Sequence, residues 1–309
     1  MKIEAVEGWP KGRKHRCLMT ETDASQVNAI RRAILADVPS LAVGFVDFTQ
    51  GVNQDNQGEV VESVNALPDE VIAHRLAMVP IPTHPGEGIH FVDECPNCST
   101  LVEEDRGCMQ CQVLYSLNVR GPKSDDAEDY KTVYVGDMMT LSDPMFDIAD
   151  EFARIPLTVL AKGQFLELYA FATYGRGRDH AKYAPAAAVT FVPHRHAVLA
   201  DKKAAETLFA LDLSTSDGRA INEKLFTKGR IEDADTVLEL EKALHQVGPG
   251  TGRDVDFAEA IVFEQVPGAY VFSFEGTGSL TPENVLAEAM RELAERFTGI
   301  EADLVKALA

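Results

Sequence analysis

Cations are scarce in this chain. Lys and Arg total 29 against 49 Asp and Glu, for a formal charge of −20 at neutral pH. A protein that holds nucleic acid on its own must displace counterions from phosphates with a gathered set of cations. The balance therefore argues against autonomous DNA or RNA binding. Long apolar runs are also missing. A membrane span needs about 20 predominantly apolar residues, and no such run occurs. The opening Met1-Lys2-Ile3-Glu4-Ala5-Val6-Glu7 is charged and lacks the apolar centre of a signal peptide. The reading predicts a cytoplasmic protein. Cysteine is rare, five in 309 residues, too few for a disulfide scaffold. The sequence also lacks a Gly-x-Ser-x-Gly elbow, a His-Glu-x-x-His helix and a dinucleotide fingerprint. Gly248-Pro249-Gly250-Thr251-Gly252 lacks the Gly-Lys-Ser/Thr ending of a phosphate loop and reads as a linker. No catalytic residue is assigned.

What is present is a chain with 45% hydrophobic residues, able to bury a core and long enough for roughly two domains. Strand and helix signals both occur along it. Thr22-Asp23-Ala24-Ser25 supplies helix caps, and Val27, Ile30, Ile34 and Leu35 recur at helical spacing up to Pro39. Residues 42–48 alternate as a strand does, Asp55–Gly58 reads as a turn, and Glu59–Val64 reads as a further strand. Pro68–Met78 reads as a helix, with strands at Val113–Val119, Lys131–Val135, Pro156–Leu160 and Ala186–Val192. Helices are expected near Lys202–Leu211 and Asp235–Val247, and strands at Glu259–Gln265 and Ala269–Glu275.

The last helix carries the clearest pattern. Thr281 suits the N-cap, Pro282 the first helical position and Glu283 the positive end of the dipole. Leu286, Met290, Leu293, Phe297, Ile300 and Leu304 follow at spacings of 4, 3, 4, 3, 4. That is an apolar seam, suited to the chain's own sheet or to a partner chain.

The strongest chemical signal lies between residues 80 and 111, a stretch rich in Pro, Gly and Cys with little periodicity. Cys95-Pro96-Asn97-Cys98 and Cys108-Met109-Gln110-Cys111 form two Cys-x-x-Cys pairs separated by nine residues. Two such knuckles deliver four thiolates to one tetrahedral metal. Four cysteines leave no open position for water, so the site is read as structural, holding one Zn²⁺. Iron remains an alternative, because four thiolates serve both metals. His90 is a spare donor that a full shell does not need. Cys17 reads as a small core residue. His194 and His196 lack a third ligand nearby. Gly175-Arg176-Gly177-Arg178 is a basic turn, read as a contact with an acidic protein surface.

Several ordered stretches carry a resemblance: Asp23–Leu35 running into Asp37–Ala42, Leu67–Pro82, Gly177–Pro185 and Phe272–Pro282. Together they resemble the assembly-subunit family of DNA-directed RNA polymerase. That family includes the third-largest subunit of eukaryotic RNA polymerase II, its archaeal counterpart and, more distantly, the N-terminal domain of the bacterial α subunit. The likeness is to the archaeal branch first. The resemblance implies an α+β fold: a discontinuous dimerisation domain of sheet plus helices (1–48 and 255–309) and an inserted, mainly β domain (49–193) carrying the metal loop 95–111. Some archaeal relatives hold an iron–sulfur cluster in a third, ferredoxin-like domain. Residues 194–254 contain no cysteine and are expected to be a cluster-free remnant.

The implied role is non-catalytic: pairing with a smaller homologous subunit to make the platform for the large polymerase subunits. By the same resemblance Asn28, Arg31 and Arg32 help dock a large subunit, and the seam from Leu286 to Leu304 belongs to the pairing surface. His74 and Arg75 are expected in a buried network. The competing readings are a zinc-ribbon nucleic-acid-binding regulator, which the charge disfavours, and a thiolate–iron redox protein.

Overall fold

The computed structural model describes residues 1–54, 58, 60–63, 67–216, 218–247 and 260–308. Residues 55–57 of the expected turn 55–58 and the linker 248–252 lie outside them, as do the ends of the expected strand 59–64. The chain divides into two compact units, residues 1–31 with 188–274, and 32–187 with 275–309.

The first unit is built on a five-stranded sheet of β1 (Lys2–Ala5), β2 (Lys14–Thr20), β13 (Ile261–Gly276), β11 (Ala186–Leu199) and β12 (Arg230–Ile231), in that order. The sequence suggests two strands where β13 is one. Pro267-Gly268 interrupts the apolar pattern, but Gly268 takes a positive φ of 68° and its carbonyl accepts the Thr22 amide at 3.2 Å. The strand passes through this irregularity instead of ending there. Helices α3 (Lys202–Phe209) and α4 (Ala234–Val247) belong to the same unit. Leu208, Ile221, Phe226, Val237 and Leu240 join Ile261 in one apolar cluster. Asp201 caps α3 by accepting the Lys203 amide at 2.8 Å, and Asp233 caps α4 by accepting that of Thr236 at 2.8 Å.

The second unit contains a four-stranded sheet ordered β3 (Pro39–Phe48), β10 (Phe165–Arg176), β6 (Val113–Arg120) and β8 (Met139–Thr140). Two small hairpin sheets accompany it: β4 (Val52–Gln54) with β5 (Val60–Glu62), and β7 (Tyr130–Tyr134) with β9 (Pro156–Ala161). Strand β10 runs antiparallel to both neighbours, with Leu168 opposite Phe48 on one side and Leu117 on the other. The sequence pattern does not mark β10. Its inward residues Leu166, Leu168, Ala170 and Ala172 alternate as a strand requires, but two of the four are alanines, which carry little strand signal. Helix α2 (Asp69–Ala77) lays Ile72 and Leu76 on the same core as Val113, Tyr115 and Leu117.

Helix α1 (Ala24–Ala36) buries Val27, Ile30, Ala33 and Ile34. Asp23 caps it, accepting the Ser25 and Gln26 amides at 2.8 and 3.1 Å. The end of β10 passes close to the end of α1, where the Arg178 amide donates to the Ala36 carbonyl at 3.1 Å. A Cβ on Gly177 would sit 2.0 Å from the Leu35 carbonyl oxygen, so this approach requires glycine. The last helix, α5, spans Pro282–Leu308, and Thr281 accepts the Asn284 amide at 3.3 Å as its cap. The α+β class stands. Among the described residues no helix is long and apolar enough to cross a membrane.

Candidate metal centre and exposed helix faces

The two Cys-x-x-Cys segments fold into matching turns. The Cys98 amide donates to the Cys95 carbonyl at 3.1 Å and that of Cys111 to the Cys108 carbonyl at 2.9 Å. The Ser99 and Gln112 amides return to the same two carbonyls. Gly107, at φ +134°, makes the bend into the second turn. A Cβ there would strike the Gln112 side chain at 2.4 Å.

These turns aim Cys95, Cys98, Cys108 and Cys111 at one point, with all four sulfurs within 4.8 Å of one another. The Cys95–Cys108, Cys108–Cys111 and Cys98–Cys111 sulfurs lie 3.6, 3.8 and 3.8 Å apart. A tetrahedron with metal–sulfur bonds of about 2.3 Å has sulfur–sulfur edges of about 3.8 Å. The cradle therefore fits a four-thiolate metal ion. Between Ile81 and Val113 the buried apolar residues are Cys95, Cys98 and Cys111 alone. The segment has no other core, which is the condition under which a metal organises a loop. His90 stands outside the cluster, exposed, with its amide donating to the Gln110 carbonyl at 2.8 Å.

The thiols do not share one proton affinity. The Cys108 thiol is lowered to about 7, first by the Gln110 amide and then by its neighbouring sulfurs. Burial pushes Cys111 up to about 12. The Gly107 amide favours the Cys98 thiolate, yet burial and the Cys108 and Cys95 sulfurs leave that thiol raised. Four adjacent thiolates repel one another, so the protons that remain leave together only when a cation replaces them.

A metal must displace these protons, so affinity falls as pH falls. Above about pH 7 the Cys108 proton is already gone; below it, that proton must be displaced as well. The slope of log affinity against pH is expected to steepen by about one below pH 7. Chelator competition between about pH 6 and 8.5 measures it. One unchanged slope across pH 7 would show that none of the ligand thiols titrates near 7.

The histidine pair does not add a second centre. His194 is buried, its ring edge-on to His196 at 5.0 Å, and burial lowers its pKa. The Nδ1 of His196 lies 2.6 Å from the Arg230 guanidinium. Among the described residues, no other set of His, Cys, Asp or Glu converges as the four cysteines do. Cys17 is buried in β2 and its thiol is pushed up to about 12 by that burial.

Helix α5 separates into two stripes. Val285, Glu288 and Ala289 are buried, and Glu292 and Arg296 continue that stripe with ion pairs. Arg176 meets Glu292 at 2.8 Å and Arg296 meets the buried Asp37 carboxylate at 2.6 Å. The apolar seam is offset by one residue, about 100° around the helix. Leu286 and Leu293 are half-buried, whereas Met290, Phe297, Ile300 and Leu304 are 39, 67, 58 and 57% exposed. Every residue from Glu295 to Leu308 is exposed.

On α1, Asn28 is half-buried and Arg32 is exposed. Half-buried Arg31 donates through Nε to the Val189 carbonyl at 2.9 Å, so part of its fork is spent inside the chain. His74 and Arg75 lie on the exposed side of α2, not in a buried network. Arg75 still donates to the Leu157 carbonyl at 2.8 Å. The Gly175–Arg178 turn also departs from expectation. Arg176 and Arg178 find their carboxylates within the chain, on Glu292 and Asp37. Glu292 and Asp37 escaped the sequence reading, because a lone carboxylate shows its partner only in three dimensions.

Residues 16–297 match the sequence profile of the RNA polymerase Rpb3/Rpb11 dimerisation domain. The chain is 30% identical over 273 residues to DNA-directed RNA polymerase subunit Rpo3 of Thermoplasma volcanium, covering 88% of this chain and 89% of that protein. It is 30% identical over 280 residues to subunit Rpo3 of Thermococcus kodakarensis, covering 90% and 89%. It is 24% identical over 314 residues to DNA-directed RNA polymerase II subunit rpb3 of Dictyostelium discoideum, covering 94% and 91%.

Proposed function

The chain belongs to the RNA polymerase Rpb3/Rpb11 dimerisation-domain family, and from that premise we propose that it is a non-catalytic assembly subunit of a DNA-directed RNA polymerase. It pairs with a smaller homologous subunit, and the pair forms the platform on which the large catalytic subunits assemble. The observation that carries this reading is the exposed apolar seam of α5. An isolated helix of about 15 residues is marginal in water. Glu295–Leu308 is exposed throughout among the described residues yet carries Phe297, Ile300 and Leu304 in line. Such a stripe fits a facing helix of like pattern.

In this reading Leu286, Met290, Leu293, Phe297, Ile300 and Leu304 meet the smaller subunit, while Asn28, Arg31 and Arg32 face a large one. Arg32 suits that role best, since it is exposed and makes no ion pair among the described residues. Residues 1–48 and 255–309 form the dimerisation domain, and 49–193 the insert with its metal loop. Residues 194–254 form a cysteine-free version of a third domain, its place as a packed element supported by the cluster around Leu208 and Leu240. One structural Zn²⁺ is held by Cys95, Cys98, Cys108 and Cys111, where it cross-links a loop that lacks its own core. The protein works in the cytoplasm.

Co-expression of the tagged full chain with the smaller subunit tests the reading. A one-to-one complex that recruits the large subunits supports it; recovery of the chain alone overturns it. The isolated chain is further expected not to shift labelled duplex DNA at micromolar protein and physiological salt. Its charge of −20 repels phosphate. A salt-sensitive shift would favour the nucleic-acid-binding alternative.

A further inference from the structure

The loop that carries the four cysteines and the helix that carries the apolar seam are joined through one side chain. The second cysteine turn holds the loop's approach segment, since the Gln110 carbonyl accepts the His90 amide at 2.8 Å. The next residue, Phe91, lays its ring 4.7 Å from the Arg176 guanidinium and 5.6 Å from the Tyr174 ring. Arg176 donates through Nη1 to the Asp37 carbonyl at 2.6 Å and to Glu292 Oε1 at 2.8 Å. The Arg176 and Glu292 side chains are only 17 and 12% exposed. Glu292 shares its helical turn with Met290 and Leu293 of the seam. A second tie runs alongside: the Thr83 amide donates to the Ser279 carbonyl at 2.8 Å, just before α5. Loop and helix also line one cavity of about 170 Å³, where Phe91 and Glu94 face Glu288 and Arg291.

We propose that Arg176 is a positioning residue that couples the state of the four-cysteine loop to the pose of α5, so that a metal-loaded chain presents its seam ready for the partner. The proposal rests on the assembly reading above. Its physical basis is the cover that Phe91 gives Arg176. The ring shields one face of the guanidinium from water and adds a cation–π contact. With the cysteines unorganised, Phe91 keeps the half-buried Ile89 and Tyr174 on one side but loses the fully buried anchor on the other, since between Ile81 and Val113 only the cysteines are fully buried apolar residues. Water then reaches the guanidinium, the local dielectric rises and the hold on Glu292 weakens. A helix free to shift must be ordered when the partner binds, and that ordering is subtracted from affinity.

The test uses the full chain, stripped by chelator or reloaded with Zn²⁺, and reads two quantities. Hydrogen exchange of the isolated chain follows the amides of Glu288–Arg296. Titration calorimetry follows binding of the smaller subunit. Reloading is expected to slow exchange in that segment several-fold and to tighten partner binding about tenfold. Phe91→Ala and Arg176→Ala should bring both loaded-to-stripped ratios to about one, while Phe91→Tyr keeps them. A residue with a merely structural role would weaken both forms equally and leave the ratios unchanged, and that result overturns the proposal. So does a wild-type ratio of one. Phe91 is half-buried, so its variants serve if Arg176→Ala fails to fold. If the partner binds neither form, the assembly reading fails instead, and the exchange ratios still decide the coupling.

Discussion

Phe297→Asp is expected to break partner binding while leaving the chain folded. Phe297 is 67% exposed within its own chain, so the substitution leaves no unpaired charge in the chain's core. Exposed substitutions of this kind change stability by about 0.5 kcal/mol or less. In the paired state the same position would place a carboxylate in an apolar seam without a partner charge, which is costly. Central aromatic anchors carry about 2–4 kcal/mol of binding energy, so the dissociation constant should rise roughly 30- to 1,000-fold. Leu293→Asp should also weaken pairing. Leu293 is half-buried and lies beside Glu292, so it should lower the melting temperature as well. Calorimetry against the smaller subunit, with a thermal melt of each variant, separates the two costs. Unchanged affinity for a folded Phe297→Asp chain would move the pairing surface to α1.

Cys98→Ser is expected to empty the metal centre. Structural zinc in small cysteine loops supplies about 10–16 kcal/mol of apparent binding free energy. A hydroxyl in place of one thiolate removes a ligand from a shell with no spare donor, since His90 stands outside the cluster. Elemental analysis should fall from about one zinc per chain to near none after chelator treatment. Faster hydrogen exchange should centre on the segment between Ile81 and Val113, whose buried apolar side chains are cysteines alone, and should reach α5 only over Glu288–Arg296. The sheet of β3, β10, β6 and β8 has its own cluster around Tyr115, Leu117 and Leu168 and should survive. Zinc content unchanged in Cys98→Ser would exclude the four-thiolate site. Iron in place of zinc would keep the cradle and change the metal.

Much of this protein was legible in one dimension because its signals are local. A cap followed by 3.6-residue apolar spacing depends only on the backbone's own geometry. Hence Asp23 and Thr281 marked the starts of α1 and α5, and the seam from Leu286 to Leu304 could be written down in full. Two Cys-x-x-Cys turns are equally local, since each brings its pair together within four residues. Their convergence fits a metal because the bends at Gly107 and between the pairs are short. Strand β10 was less legible: its place at the centre of a sheet comes from long-range pairing with β3 and β6, and its alanines do not advertise it. Strand β13 read as two for the opposite reason, a local break at Pro267-Gly268 that the sheet absorbs.

By itself the sequence determined the spacing of the cysteines, the register of the apolar seam and the acid surplus. Each is a property of order along the chain. Tertiary structure decided which way those features face. The seam became a surface because Val285, Ala289 and Glu292, each one position before a seam residue, took the inward stripe. Arg176 became an internal tether because Glu292, 116 residues away in sequence, sits 2.8 Å from it. A charge selects its partner by distance and burial, and neither quantity exists until the chain has folded.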